Sequence, residues 1–256
     1  MTPGEQAKRC CKRYYEMETI NGEWIMRGCS EDDPHCLHTV AEAKKLILKV
    51  GFLPLFESGD TGFSIEEHTP PYHWWSGEPL TDPWEWRMIL TRDPEIAYGK
   101  FFDKKAGFIS REWFPEFANA RRDGYDFDAG WEDGLASYRM KKIMDTFSPD
   151  DRMTGKEILS FVLKEQAGFG KGGEKNFEGV LTELQMRTYL IMSDFRQKRN
   201  KKGQAYGWHI AALETPETKW GYEHVTSGYG KAPKESLGRI REQAGRYFPG
   251  AETSIK

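Results

Sequence analysis

The stretch NFEGVLTELQMRTYLIMSDFRQKRNKKGQAYGWHIAAL, residues 176–213, decides how the chain is read. Phe177, Val180, Leu181 and Leu184 recur at the spacing of one helix face, and Asn176 stands where a cap belongs. YLIMSDF follows as a strand and AYGWHIAAL as the strand that returns. Between them, RQKRNKKGQ holds five basic residues (Arg196, Lys198, Arg199, Lys201 and Lys202), no acid, and Gly203 for the turn.

Upstream of this stretch, Ala136, Met140, Ile143, Met144 and Phe147 mark one face of a helix that Ser148-Pro149 ends. Thr154 to Glu157 forms a capping box and predicts a short second helix with Ile158, Phe161 and Val162 inward, closed by AGFGKGG. Three helices followed by a basic hairpin predict a winged helix-turn-helix over residues 136–213. In such a module the third helix lies in the major groove while the hairpin reaches a phosphate. The predicted contacts to double-stranded DNA are therefore Lys175, Thr182, Gln185 and Arg187 on the helix, with Arg196, Lys198, Arg199, Lys201 and Lys202 on the wing. Glu178 and Glu183 oppose phosphates, and a basic loop is also often only a solvated turn or part of a protein-docking surface.

Nearer the start, Thr39 and Glu42 make a capping box for a helix with Val40, Ala43, Ile47 and Val50 on its apolar face, closed by Gly51. GFLPLF follows as a short buried strand or turn, and residues 57–80 as an aromatic loop. Asp82-Pro83 starts a helix carrying Trp84, Trp86 and Met88. IAYGKFF reads as a strand, and Ser110 as the cap of a helix through REWFPEFANARR that must hold Pro115 in its first turns. Asn21-Gly22 predicts an N-terminal hairpin, and residues 215–256 two further helices packing back. The expected class is α+β, mostly helical, with small β-hairpins.

A 256-residue chain with 38% apolar and 30% charged residues has the composition of a folded protein with a real core. A net charge of -3 excludes binding nucleic acid through bulk charge, so any such contact rests on a local patch. No run approaches the roughly 18 apolar residues of a membrane span, and MTPGEQAKRCCKRYY lacks a signal-peptide core; the expected address is the cytoplasm. GFGKGGEKN follows a helix rather than a strand and lacks the GxxxxGK[ST] spacing, so no nucleotide cofactor is implied. Cys10, Cys11, Cys29 and Cys36 with His35 and His38 form no CxxC pair, and the expectation is reduced thiols with no metal.

One more group invites a chemical reading. Tyr72, Trp74, Trp75, Trp84, Trp86 and Trp113 are interspersed with Glu66, Glu67, Asp82, Glu85 and Glu112. Such a set can line a cleft where a flipped base stacks while a carboxylate such as Glu66 orients water. Tryptophans in a chain of this size are also mostly core residues, and no single carboxylate stands out.

AYGKFFDKKAGFISREWFPEFANARRDG, NFEGVLTELQMRTYLIMSDF and YGWHIAALETPE, with GFLPLF and DPWEWR, resemble the AlkZ/YcaQ-type DNA glycosylase superfamily, in particular its AlkZ-related branch. The resemblance spans roughly residues 39–247. It implies a tandem winged-helix architecture: an extension over 1–38, a degenerate winged-helix-like and aromatic-loop region over 39–125, a winged helix over 126–214 and C-terminal helices over 215–256. In the characterised glycosylases a Gln-x-Gln or Gln-x-Asp motif after the first helix positions the attacking water. The corresponding place here is GFLPLF, with Leu53 and Leu55, and leucine can neither hold water nor stabilise a cationic sugar. Three readings follow: a DNA-binding relative without the family motif, a glycosylase with a relocated carboxylate, and a winged-helix docking scaffold.

Overall fold

The computed structural model describes residues 26, 28–57, 59, 61–147 and 157–255. The hairpin expected at Asn21-Gly22, Cys10, Cys11 and Thr154 lie outside them.

The first helix, α1 (Val40–Val50), is built as its sequence predicts. Thr39 Oγ1 accepts the Glu42 N–H, Glu42 returns a carboxylate oxygen to the Thr39 N–H, and Gly51 closes the helix with φ 98°. Ala43, Ile47 and Val50 are fully buried. The chain then enters β1 (Phe52–Pro54), crosses the aromatic loop in two 3-10 turns, and forms α2 (Pro83–Thr91). Asp82 caps α2 through the Trp84 N–H, and the same carboxylate accepts the Trp75 and Gly77 N–H groups, so one residue fixes both the helix start and the loop before it.

Strands β2 (Ile96–Phe102) and β3 (Lys105–Ser110) follow as a hairpin, and β3 also pairs with β1. Sequence reasoning missed β3, because KAGFIS is short and carries a glycine and a lysine. Ser110 consequently ends a strand instead of capping a helix. Helix α3 (Phe114–Arg122) starts after Trp113, with Pro115 in its first turn.

A short helix, α4 (Phe127–Glu132), was also missed; it precedes α5 (Tyr138–Met144), which buries Met140, Ile143 and Met144 as predicted. The next segment departs from expectation. Ile158 and Leu159 form strand β4, and α6 begins only at Ser160, running to Gln166. Phe161, expected inward, is exposed, while Leu163 is the fully buried residue of α6. Helix α7 (Phe177–Met186), β5 (Ile191–Arg196) and β6 (Ile210–Glu214) complete this half. Asn176 precedes α7 in a left-handed conformation without a side-chain cap bond, so the expected asparagine cap does not form.

All six strands join one antiparallel sheet in the order β1-β3-β2-β5-β6-β4. Its middle seam is the pairing of Tyr98 on β2 with Met192 on β5. One buried cluster gathers α1 to α3, β1 to β3, the C-terminal residues and Ile191 and Phe195 of β5; a second gathers Phe127 of α4 and α5 to α7 with Leu213 of β6. The C-terminal segment forms α8 (Pro216–Trp220), α9 (Tyr222–Val225) and α10 (Pro233–Tyr247). Two polar hubs hold it down. The buried Arg122 guanidinium bonds Glu217, Tyr229 and Thr188, and Glu116 accepts from Lys231, Ser236 and Arg239. Among the described residues no helix is long and apolar enough to cross a membrane.

Candidate nucleic-acid interface

The segment joining β5 to β6 is shaped by its own polar residues. Asn200 Oδ1 accepts the N–H groups of Lys202 and Gln204, and the Gly203 N–H donates to the Asn200 carbonyl, while Gly203 takes φ 77°. This turn sets Lys201 and Lys202 at its two corners. Lower down, Gln197 Nε2 donates to the carbonyls of Tyr206 and Gly207 on the facing arm, and the Tyr206 N–H donates to Lys198. The arms are thus tied across without a long ladder, and residues 198–208 are all exposed.

The five cations differ in their freedom. Arg196, at the end of β5, is paired with Glu157 and Asp194, so its charge is largely answered within the protein. Arg199 donates to the Gly203 carbonyl. Lys198, Lys201 and Lys202 have no carboxylate within salt-bridge range among the described residues.

The face of α7 is a correction. Thr182 and Gln185, predicted to meet base edges, are buried against β2 of the first half. Gln185 Oε1 accepts the Lys100 N–H at 3.1 Å, and Lys100 Nζ donates to Thr182 Oγ1 at 3.3 Å. A Cβ on Gly99 would lie 2.8 Å from the Phe101 ring and 3.3 Å from Gln185 Oε1, so the approach of helix to strand needs glycine there. Amphipathic spacing identifies which residues face their own core, but Thr182 and Gln185 look like solvent-facing residues until the second half meets the first. Lys175 is exposed, and Arg187 is half-exposed with its guanidinium on the Leu135 carbonyl and near Glu183.

The aromatic group is only partly assembled. Phe56, Trp74, Trp75 and Trp84 stack as a chain with ring centroids 5.5–6.3 Å apart. Trp84 continues it to Arg87, whose guanidinium lies 3.6 Å from the Trp84 ring and 4.3 Å from the ring of Phe195 on β5. Trp86 is buried in the core with its Nε1 on the Leu80 carbonyl, and Trp113 packs on Gly51 and Phe52. Neither belongs to a pocket with Trp75.

The loop carboxylates hydrogen-bond within the loop. Glu66 is buried and accepts the Glu57 N–H. Glu67 accepts the Gly62 N–H and the Ser64 hydroxyl, and burial pushes its pKa up. His68 bonds the Gly62 carbonyl through Nε2, and burial holds its pKa below the usual value. Leu53 and Leu55, the positions that the resemblance sets against the glycosylases' polar pair, are sealed in the first core. The buried thiols of Cys29 and Cys36 are raised in pKa by burial, and among the described residues no group of three or more His, Cys, Asp or Glu side chains gathers as a metal would need.

The sequence model of the AlkZ-related family matches residues 37–255, which takes in both halves of the sheet and the C-terminal helices. The chain belongs to the AlkZ-related family. No curated protein and no solved structure matches it. The family match leaves the chemistry of the chain to be argued from its own residues.

Proposed function

We propose that this AlkZ-related protein binds double-stranded DNA through the segment between β5 and β6, acting as the wing of a winged helix, and does so without the glycosylases' water-positioning pair. The winged-helix reading is supported by the order α5-β4-α6-α7-β5-β6, three helices and three strands with β6 between β4 and β5. The observation that carries the DNA reading is the preformed tip, where Asn200 and Gly203 hold Lys201 and Lys202 outward with no carboxylate among the described residues to answer them. On a chain of net charge -3, a cationic cluster this local suits a phosphate backbone better than general adhesion.

The contact set narrows to Lys198, Arg199, Lys201 and Lys202, with Lys175 and Arg187 at the edge of α7. Because Thr182 and Gln185 are covered, direct reading of base edges by α7 is not part of the proposal, and binding should depend weakly on sequence. The burial of Glu66 and Glu67 and their hydrogen bonds to the Glu57 and Gly62 N–H groups and the Ser64 hydroxyl give no support to a relocated catalytic carboxylate among them.

The test is fluorescence anisotropy with a duplex oligonucleotide over a salt series, comparing wild type with the triple variant Arg199→Glu, Lys201→Glu, Lys202→Glu. The variant should lose binding, and the wild-type slope of log affinity on log salt should be steeper by about 0.9 for each phosphate contact removed. Unchanged affinity would remove the proposal. Incubation of wild type with alkylated and crosslinked duplexes should release no free base.

A further inference from the structure

The wing carries a feature that phosphate binding does not use. Trp208 is 76% exposed and Tyr206 53% exposed, on the arm returning from the lysine turn. Among the other exposed aromatics, Trp75 stacks with Trp74 and Trp84, Tyr72 donates to Glu31, Tyr222 donates to Asp126 and Lys142 lies over the Tyr138 ring, while Phe161 is exposed on α6, outside the segment that holds the lysines. Among the described residues, the rings of Trp208 and Tyr206 meet no other ring, and neither the indole N–H nor the phenol is hydrogen-bonded. Leaving an indole in water forgoes the gain of burying a large apolar ring. Among the described residues nothing repays it.

We propose that Trp208, assisted by Tyr206, stacks on a nucleobase that has left the duplex stack, so that the wing prefers DNA with unpaired bases over a perfect duplex. This deepens the DNA reading above and rests on it. The chemistry is complementary on both counts. The lysines of the tip attract the phosphate backbone, and a flat ring beside them offers the surface on which an exposed base can stack. A perfect duplex keeps its bases stacked on one another and presents no free face to Trp208. A single strand or a bulge presents one at little cost. Stacking is tolerant of base identity, which fits a wing whose neighbouring helix has its candidate base-reading residues covered. Gly207, with φ 66° between the two aromatics, redirects the chain there, and Gln197 fixes that bend through both the Tyr206 and Gly207 carbonyls. The rings are therefore presented by a tied segment, which lowers the ordering cost of binding.

The experiment measures anisotropy of three labelled DNAs, namely a perfect duplex, the same duplex with one unpaired base, and its single strand, against wild type, Trp208→Ala, Trp208→Phe and Tyr206→Ala. Trp208→Ala should weaken the bulged and single-stranded complexes by about 5- to 100-fold, leave the perfect duplex within about 2-fold, and keep the salt slope unchanged because no phosphate contact is lost. Trp208→Phe should restore most of the affinity, and Tyr206→Ala should lose less than Trp208→Ala. Thermal melts should match wild type, since neither ring supports the core. Wild-type affinities for all three DNAs in Trp208→Ala, or an equal loss on all three, would overturn the inference while leaving the wing lysines as the DNA contact. Wild type that binds none of the three would overturn both.

Discussion

Set side by side, residues 40–110 and 138–214 run through the same sequence of parts: a helix, a strand, short helical turns or a helix, a further helix and a strand hairpin; α3 then follows the first. Each half contributes three strands, and the sheet order β1-β3-β2-β5-β6-β4 reads the same from either end toward the seam. The hairpins differ. In the first half Phe102 pairs with Lys105 around Asp103 and Lys104, both left-handed, which is the tight turn that matches strand twist. In the second, Arg196 pairs with Ile210 and the chain between them runs out through residues 197–209. One hairpin only closes the sheet, while the other closes it and carries an exposed cationic segment. The comparison teaches that the fold does not require the basic segment, so its charge and its aromatics are to be explained by something outside the fold.

The largest effect expected from breaking the arrangement lies where the halves and the C-terminal helices meet. Arg122 of α3 bonds the Thr188 carbonyl and hydroxyl in the second half as well as Glu217 and Tyr229 of the C-terminal segment, from a site only 4% exposed. Arg122→Met leaves Glu217 without its cation and the Thr188 carbonyl without its donor. A loss of about 3–5 kcal/mol is expected in urea unfolding. A loss below about 1 kcal/mol would mean that the halves are held by the sheet seam alone.

Next comes a transplant that makes the second half like the first. Replacing residues 197–209 by Asn-Gly joins Arg196 to Ile210 through a two-residue turn, as in the first half. Stability should change by no more than about 2 kcal/mol, because loop-closure entropy varies by only about 0.6 kcal/mol per doubling of length. Duplex affinity should fall by at least about 100-fold, equivalent to about 2.7 kcal/mol. Loss of folding would show that the wing is structural after all.

A smaller effect is expected at the covered face of α7. Gln185→Leu keeps the volume but removes the acceptor for the Lys100 N–H, leaving a backbone donor unpaired beside β2. A cost of about 1–3 kcal/mol in urea unfolding is expected, with DNA affinity unchanged in the folded protein. A drop in affinity instead would return Gln185 to the DNA interface.

These residues also show what the sequence made legible. Thr39 with Glu42, Asp82 with Pro83, and the lysines between β5 and β6 act locally, through caps, a fixed φ and charge, and their structural consequences follow from a few neighbours. Strand β3 was missed because KAGFIS is defined by partners on both sides rather than by its own alternation; Gly107 sits there because a Cβ would meet the Phe102 ring and the Leu53 carbonyl. Strand β4 was read as the start of a helix because a two-residue strand, Ile158 and Leu159, has no periodicity of its own. Thr182 and Gln185 were misassigned for the same reason at larger scale. A polar residue covered by another half of the chain has the same local pattern as one facing solvent.

The smallest expected effect separates the halves by acidity. His68 is half-buried in the loop of the first half, and desolvation of its ring holds its pKa below the ordinary 6.5 despite its bond to the Gly62 carbonyl. The unfolded chain therefore takes up this proton more readily than the folded one, so stability is present above pH 6.5 and is lost as pH falls from there toward the folded value. One proton limits the slope to about 1.4 kcal/mol per pH unit. Hydrogen exchange, corrected for intrinsic rates and compared at pH 7.5 and 6.0, should show residues 62–69 losing protection while residues 177–186 of α7 keep theirs. Equal losses in both would mean that the two halves open together, and that the seam between Tyr98 and Met192 couples them more tightly than their separate cores suggest.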